Sequence, residues 1–335
     1  MQKVILFTSP CVAELVDEEI RELEQGEVLV KLERSTISAG TERANLVGNP
    51  NIGPTIGGQV IFPRRSGYSS SGVVVAVSDG VTDIKIGDRV ALSWSSHNQY
   101  CIRPASCVYK LPDNVSMASG ALVHIATFPL AAIRKCDLEI GESAIIMGLG
   151  VLGIMSIELL RAAGAVPIIA VDPVKEKREL ALKLGADYAL DPFEENFVAR
   201  VKEITGGGAK IALEITGNGK GLDMVLDCMA RFGRVALLGC TRSSDFTIDY
   251  YRKVHGPGIT LVGAHTIARP KERSSHGWWT ERDDALAVIG LLSSGRLNFD
   301  RLVEEVHSPL TATDTYARLA KEAAFPIVQF DWTKM

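Results

Sequence analysis

A glycine-rich turn between a strand and a helix constrains the fold of this chain more than any other feature. The apolar run 143–147 leads directly into a G-x-G-x-x-G turn and then into a helix-compatible segment; the turn consists of Gly148, Leu149, Gly150, Val151, Leu152 and Gly153. In such a turn the first glycine permits the tight bend, the second lets the backbone approach a pyrophosphate, and the third lets the helix pack on the strand. The helix amides then face the phosphates. The turn therefore predicts a dinucleotide site.

An acidic residue lies at the position that contacts the cofactor ribose in such a site. Asp172 follows the turn by roughly 20 residues, at the end of the second predicted strand. A carboxylate there accepts hydrogen bonds from the ribose hydroxyls of NAD and repels the 2′-phosphate of NADP. Lys175, Lys177 and Arg178 follow closely and could receive that phosphate, so NADP stays an alternative to the expected NAD.

The regular alternation of strand and helix patterns after residue 112 defines the fold class. Short, continuously apolar strand patterns alternate with amphipathic helix patterns at 143–147, 151–163, 167–171, 175–184, 211–215, 221–231, 234–238 and 259–262. Such alternation predicts an α/β fold with a doubly wound parallel sheet covered on both faces. The first hundred residues instead contain short β runs broken by glycine, such as 28–33, 72–77 and 89–92, and predict a mostly antiparallel β domain. A length of 335 residues also favours two domains.

Composition excludes several classes of function. The net charge is −4 and no basic arm is present, so we expect no nucleic-acid partner. No apolar run reaches the roughly 18 residues of a membrane span, and the N-terminus does not have the pattern of a signal peptide, so we expect no membrane partner. The six cysteines form neither a C-x-x-C pair nor a four-cysteine zinc loop, which predicts a reducing, cytoplasmic location.

Several further motifs make the chain similar to the medium-chain dehydrogenase/reductase superfamily. The segment from Val73 to Val77 and the run Gly87-Asp88-Arg89-Val90 resemble its G-x-V-x-x-V and G-D-x-V patterns, and Gly185 and Gly239 match further positions. The resemblance implies a GroES-like catalytic domain from residues 1–127 and 265–335, a Rossmann domain from 128–264, and an active site in the cleft between them. It also implies a small-molecule substrate, a homodimer or homotetramer, and cofactor contacts from Lys177, Thr127, Thr216 and Gly239.

The positions that hold zinc in many members of the superfamily are altered in this chain. The resemblance places Ser38 where those members have a cysteine, Tyr68 where they have the histidine of Gly-His-Glu, and Val123 at the third ligand. Hydroxyls bind zinc poorly and an alkyl group does not bind it. We therefore predict no catalytic metal.

Without a metal, side chains must bind the substrate oxygen and transfer its proton. The candidates are Tyr68, His97, His124, Thr41 and Glu42. Each has a structural alternative: Tyr68 as a packed strand-end tyrosine, His97 as a structural or exposed histidine, His124 as a satisfied core histidine, and Glu42 as a fold-anchoring ion pair. Trp278 and Trp279 either stack on a flat substrate or pack at an interface.

The function expected is interconversion of a secondary alcohol and its ketone by a zinc-independent, NAD(H)-dependent oxidoreductase. The runs 40–42, 67–69 and 97–99 resemble the branch of the superfamily that contains bacteriochlorophyllide a dehydrogenase, which oxidises a hydroxyethyl side chain; a sugar or polyol alcohol suits the polar candidates as well. Two alternatives remain. One is reduction of an activated C=C bond by a quinone or enoyl reductase with NAD(P)H, and the other is a catalytically inactive nucleotide-binding protein.

Overall fold

The computed structural model describes residues 1–49, 55–56, 59–241 and 245–335. They form two compact units, one from Met1–Ile125 with Ala285–Met335, and the other from Ala126–Asp284. Both ends of the chain therefore build the first unit, and the middle builds the second. The second unit extends beyond the predicted boundary at residue 264, because Arg269 and Asp284 form an ion pair within it and Lys135 donates a hydrogen bond to the carbonyl of Ala268.

The first part of the chain is rich in strands. Its elements are β1 (Gln2–Ser9), β2 (Val12–Glu18), β3 (Glu27–Thr36), α1 (Ala39–Leu46), β4 (Thr55–Ile56), β5 (Gln59–Val60), β6 (Arg64–Arg65), β7 (Ser69–Val77), β8 (Arg89–Ser93), β9 (Tyr100–Pro104), β10 (Val108–Lys110), α2 (Met117–Gly120) and α3 (Val123–Lys135).

Strands and helices then alternate. These elements are β11 (Ala144–Met147), α4 (Val151–Ala163), β12 (Ile168–Val171), α5 (Lys175–Leu184), β13 (Tyr188–Leu190), α6 (Phe197–Thr205), β14 (Ala209–Glu214), α7 (Gly219–Asp227), β15 (Met229–Leu237) and β16 (Thr260–Gly263). The C-terminal part adds α8 (Glu281–Ser293), β17 (Glu305–His307), α9 (Ala312–Lys321) and β18 (Val328–Asp331).

The first unit is built on a seven-stranded sheet in the order β10-β8-β7-β3-β18-β17, in which β9 also pairs with β3. Its central strand, β3, lies antiparallel to β7 and to β18, so both chain ends contribute to one sheet. A second sheet has the order β2-β1-β6, and its side chains Ile5 and Phe7 join the same buried core as Val30, Leu32 and Phe330. This confirms the predicted β-rich unit.

The second unit contains a six-stranded parallel sheet in the order β13-β12-β11-β14-β15-β16. The order reverses next to β11, as in a doubly wound dinucleotide fold, and ligands bind at such a switch point beyond the carboxyl ends of the strands. Strands β11 and β12 are wholly buried, which explains their unbroken apolar sequences. Helices α4 and α5 end at Gly164 and Gly185, whose left-handed backbones close the turns back to the sheet. The predicted fold class is confirmed.

Two further observations bear on the predictions from composition. Within the described ranges, every helix is too short or too polar to cross a lipid bilayer. All six cysteines are free thiols, with Cys11 and Cys240 exposed and Cys101, Cys136 and Cys228 buried.

Candidate active site

The glycine turn at the end of β11 provides an open backbone surface. Gly148 has a φ of +100°, which favours glycine. A Cβ built on Gly150 meets no atom within 4 Å, whereas one built on Gly153 would lie only 3.0 Å from the carbonyl carbon of Gly148 and closer still to its oxygen. Gly153 is thus required for packing of the helix on the turn, and Gly150 leaves a space that a side chain would fill. Val151 and Leu152 follow as the first residues of α4.

The neighbouring strands bring Thr216 and Gly239 toward the same end of the sheet. β14 pairs directly with β11, and β15 pairs with β14. A Cβ on Gly148 would lie 3.1 Å from Cγ2 of Thr216, and a Cβ on Gly239 would lie 2.7 Å from the carbonyl of Ile215. The Thr216 amide and hydroxyl both donate to Glu214, and burial raises the pKa of the Glu214 carboxyl. The predicted cofactor residues Gly148, Thr216 and Gly239 therefore follow the ends of three adjacent strands, β11, β14 and β15.

Asp172 lies at the end of β12, the strand on the other side of β11. Its carboxylate accepts hydrogen bonds from the amides of Leu149 at 2.9 Å and Val174 at 2.8 Å. Two carboxylate oxygens offer about four acceptor sites, so capacity remains for hydroxyl donors. Lys177, five residues later on α5, is buried.

One nitrogen of the nearby Arg178 guanidinium has three acceptors. Arg178 donates to the carbonyls of Asp172 and Pro173 and forms an ion pair with Asp191 at 3.1 Å. The strand ends, the open glycine backbone and Asp172 together fit NAD. Thr127 lies on α3 in the same unit, and its hydroxyl accepts a long hydrogen bond of 3.4 Å from Arg269.

Two of the three residues at the altered metal positions meet in the first unit. The Tyr68 hydroxyl donates a hydrogen bond to Oγ of Ser38. The Ser38 amide donates to Oε1 of Glu42 at 2.7 Å. Val123 is fully buried at the start of α3. Two neutral hydroxyls bonded to each other, with an alkyl group as the third member, do not fit zinc. Among the residues that the structure describes, no cluster of three or more His, Cys, Asp or Glu side chains is arranged to hold a metal ion.

Aromatic rings surround this hydroxyl pair. The His124 ring packs edge-on against Tyr68, with centroids 5.7 Å apart, and against Trp94, with centroids 4.7 Å apart. His124 is only 1 % exposed, whereas Trp94 is 37 % exposed. Trp94 also has a φ of +54°, an unfavourable backbone conformation for a bulky residue that is often found at functional sites. Ser38, Tyr68, His124 and Trp94 form what we call the hydroxyl site.

Glu42 and His97 lie behind Ser38 in a fully buried network. Oε2 of Glu42 accepts hydrogen bonds from Nε2 of His97 at 3.1 Å and from the hydroxyl of Tyr316. Nδ1 of His97 is 2.7 Å from Oγ of Ser35. Burial and the nearby carboxylate raise the pKa of Tyr316 well above its usual value, so its hydroxyl stays a donor.

Two of the predicted catalytic residues therefore have different surroundings from those expected. His97 is 0 % exposed and both ring nitrogens have partners, so it positions Glu42 within a buried network. Thr41 is exposed on α1, and its carbonyl accepts a hydrogen bond from the Asn45 side chain. Tyr68 and His124 belong to the hydroxyl site, and Glu42 contacts it through the Ser38 amide.

The two adjacent tryptophans pack against cations. The Arg134 guanidinium lies 3.5 Å above the ring of Trp279, and the Lys135 ammonium lies 4.8 Å from that of Trp278. Both are cation–π contacts inside the second unit. They support the structural interpretation of the pair rather than substrate stacking.

Sequence reasoning missed Trp94 and Tyr316. Trp94 follows strand β8, the G-D-x-V strand, and this position at a strand end was the signal available. Tyr316 carried no local signal, because its partner Glu42 is 274 residues away in the chain.

A strand-turn-helix dinucleotide site and a separate β-rich unit that carries a hydroxyl site define a nicotinamide-dependent dehydrogenase. Two family models match: "Alcohol dehydrogenase GroES-like domain" over residues 24–137 and "Zinc-binding dehydrogenase" over residues 151–276. The (R,R)-butanediol dehydrogenase of Bacillus subtilis (strain 168) is 30% identical over 268 residues, which cover 72% of each chain. The D-guloside 3-dehydrogenase of Escherichia coli (strain K12) is 25% identical over 94% of this chain and 95% of its own.

Solved structures agree with the sequence comparison. The crystal structure of 2R,3R-butanediol dehydrogenase from Bacillus subtilis superimposes with a TM-score of 0.85 at 25% identity and covers 99% of both chains. The chain belongs to the zinc-type alcohol dehydrogenase-like family of the medium-chain dehydrogenase/reductase superfamily. It is accordingly a dehydrogenase of the class that acts on CH–OH groups.

Proposed function

We propose that this chain interconverts a secondary alcohol of a sugar or polyol and the corresponding ketone with NAD(H), and that it does so without zinc. The hydrogen bond between Tyr68 and Ser38 carries this proposal, because the sequence resemblance aligns both residues with zinc ligands of other family members and their hydroxyls are bonded to each other. The names of two relatives, which refer to butanediol and to position 3 of a guloside, support an alcohol of this kind.

The hydroxyl site can bind and protonate a substrate oxygen. Because Tyr68 donates to Oγ of Ser38, the Ser38 hydroxyl hydrogen is free to point at the carbonyl oxygen of a ketone. During reduction the proton passes from Ser38 to that oxygen and is replaced from Tyr68, and the partly exposed Tyr68 takes a proton from solvent water. In alcohol oxidation each proton moves in the opposite direction, from the substrate through Ser38 and Tyr68 to solvent. Glu42 holds the Ser38 backbone in place through its amide. NAD(H), when bound, supplies or accepts the hydride.

The choice of NAD over NADP follows from the surroundings of Asp172. Its carboxylate lies at the end of β12, where it would repel a 2′-phosphate. Nη1 of Arg178, the guanidinium that follows on α5, donates to two carbonyls and forms an ion pair with Asp191. We therefore expect tighter binding of NAD than of NADP, which isothermal titration calorimetry measures directly.

The test combines metal analysis with one substitution and a matched control. After dialysis against EDTA, the protein should contain no stoichiometric zinc and should oxidise butane-2,3-diol or sorbitol as fast as before. Tyr68→Phe should lower kcat by about 10²–10⁴-fold, the range for loss of a general acid or base, and leave NAD affinity unchanged. Tyr188→Phe, an exposed tyrosine on β13, is the control and should retain full activity.

Two results would contradict the proposal. One is zinc bound at one equivalent whose removal abolishes turnover, and the other is full activity of Tyr68→Phe. A substrate panel also separates the alternatives. Turnover of enones with NADPH, and of no alcohol, would indicate a quinone or enoyl reductase. NAD binding without turnover of any substrate would indicate an inactive nucleotide-binding protein.

A further inference from the structure

A buried carboxylate lies at the end of β14, beside the glycine turn. Glu214 is only 4 % exposed. Its Oε1 accepts a hydrogen bond of 2.9 Å from the Thr216 amide, and the nitrogen of that amide is 3.4 Å from the Cβ position built on Gly148. A single backbone amide therefore separates this carboxylate from the turn that is expected to contact the cofactor.

The hydrogen-bond partners of the Glu214 carboxylate are all neutral. Besides the Thr216 amide, the Thr216 hydroxyl donates to Oε1, and the Gly217 amide donates to Oε2 at 3.3 Å. Among the residues that the structure describes, no Lys, Arg or His side chain forms an ion pair with Glu214. Neutral donors stabilise the ionised form of a carboxyl but leave its net charge in place. Glu214 is thus a buried negative charge without a counter-ion.

The strand order assigns this charge to one half of the cofactor. A doubly wound sheet binds a dinucleotide across its switch point, with one nucleotide on each side. Asp172, at the end of β12, is the residue expected to bind the ribose of the adenosine half. β14 lies on the opposite side of β11 from β12. Glu214 and Thr216 therefore belong to the side expected for the nicotinamide half.

The two redox forms of the cofactor differ in charge in this half alone. The nicotinamide ring is positively charged in NAD⁺ and neutral in NADH, whereas the pyrophosphate and the adenosine are the same in both. A negative charge nearby attracts the ring of NAD⁺ and has no such effect on the ring of NADH. Because Glu214 is buried, salt screens this attraction less than it would at the surface.

From these observations we infer that the Glu214 carboxylate stabilises bound NAD⁺ relative to bound NADH. This inference rests on the proposed function, from which it takes the identity of the cofactor. Glu214 acts through its charge and needs no contact with the ring. Compared with a chain without this charge, the oxidised cofactor binds more tightly relative to the reduced one. Such a bias suits alcohol oxidation, in which NAD⁺ must bind and NADH must leave.

Calorimetry with NAD⁺ and NADH on the full chain tests the inference without requiring turnover. Because burial raises the pKa of Glu214, the measurements are made at pH 8.5. Glu214→Gln should raise the ratio of the NAD⁺ Kd to the NADH Kd by about 4- to 16-fold, the range for a unit charge at roughly 10–20 Å and an effective dielectric constant of about 20. Glu214→Asp, which keeps the charge, should leave the ratio unchanged. Glu203→Gln, at a 70 % exposed side chain on α6, removes a charge of the same sign and is the control.

The ratio separates a role of the charge from a merely structural role of Glu214. A displaced turn would weaken the binding of both redox forms alike and would leave the ratio as it was. Differential scanning fluorimetry checks that each variant is folded, and Glu214→Met provides a second neutral variant, for which we expect a shift in the same direction.

The outcomes distinguish failure of this inference from failure of the proposed function. An unchanged ratio in the neutral variants, with both redox forms bound, would overturn the inference alone, as would an equal shift in Glu203→Gln. The expected shift without turnover of any alcohol would refute the proposed function and leave the inference standing. If neither NAD⁺ nor NADH bound to the wild type, both would be wrong.

Discussion

Replacing Gly153 with alanine tests two roles of the glycine turn: its packing against α4 and its expected binding of the NAD pyrophosphate. Its Cβ would lie 3.0 Å from the carbonyl carbon of Gly148 and closer still to the oxygen, a distance that real Cβ atoms essentially never show. The atoms in the way belong to the backbone and cannot rotate aside. The turn that presents its amides to the pyrophosphate must therefore move away from α4.

The size of the effect follows from packing and helix propensity. Overpacking costs up to about 3 kcal/mol, and alanine regains about 1 kcal/mol over glycine within a helix. The net loss is about 2 kcal/mol. At roughly 2–4 °C for each kcal/mol, the melting temperature of the protein without cofactor should fall by about 4–8 °C. NAD affinity should also fall by about tenfold or more, because the displaced turn no longer fits the pyrophosphate.

Gly150→Ala is the matched comparison within the same turn. Gly150 has a φ of −70° and its Cβ meets nothing within 4 Å, so alanine is tolerated apart from about 0.5–1 kcal/mol for a poorer N-cap. This variant should melt within about 1–4 °C of the wild type and still lose NAD affinity, because its methyl group occupies the cofactor's space. Gly263→Ala, on β16 with nothing within 4 Å, should change neither quantity.

Differential scanning fluorimetry without cofactor and calorimetry with NAD provide the two measurements. If Gly153→Ala melts and binds NAD like the wild type, the packing argument is wrong. If Gly150→Ala binds NAD normally, the cofactor does not approach this backbone and the assignment of the turn fails.

Three further predictions concern thiols, acid stability and an exposed helix. At pH 8 the exposed Cys11 should react with a thiol reagent in the native protein, whereas Cys136, whose pKa burial raises to about 12, should react only after unfolding. The ion pair with Arg21 lowers the pKa of Glu27 to about 2, so its stabilising effect is present above pH 4.5 and is lost as the pH falls toward 2. In Glu27→Gln the free energy of unfolding in urea should therefore depend less on pH between 4.5 and 2 than in the wild type. An unchanged pH dependence would count against the ion pair. Gly290→Ala, at an exposed position inside α8, should stabilise the protein by about 0.5–1 kcal/mol in urea unfolding, because the added methyl group meets nothing within 4 Å. A destabilised variant would mean that the methyl group clashes with a neighbouring atom.

Local sequence patterns predicted the second unit well, because its strands and helices are set by neighbours in the chain. Helices α4 and α5 begin and end at the predicted residues, since each ends at a left-handed glycine that the sequence displays. The sequence patterns of β17 and β18 were too weak to predict these strands, because their formation depends on pairing with residues far away in the chain. β18 pairs with β3, and Phe330 lies opposite Ser35 from the other end of the chain.

The candidate site also combines features that local sequence predicts with features that depend on long-range contacts. The positions of Ser38 and Tyr68 followed from local motifs, and the structure joins their hydroxyls. The family resemblance made His97 a catalytic candidate, with a structural or exposed histidine as the alternative, and the structure places it in a buried network. Its burial depends on Ser35, Glu42 and Tyr316, which come from three separate segments. No local pattern could have assembled that set.

Under the proposed zinc-free function, the buried network around Glu42 keeps the hydroxyl site in shape. A zinc ion would tie three chain segments together through its ligands. Here Glu42 connects comparable segments: one oxygen binds the Ser38 amide, and the other binds His97 and Tyr316. A buried carboxylate is stable only when such donors surround it, so removing any one of them leaves its charge partly unpaired. The same requirement holds Ser38 in place, and through it the hydroxyl of Tyr68, and in the proposed function these hydroxyls bind the substrate oxygen.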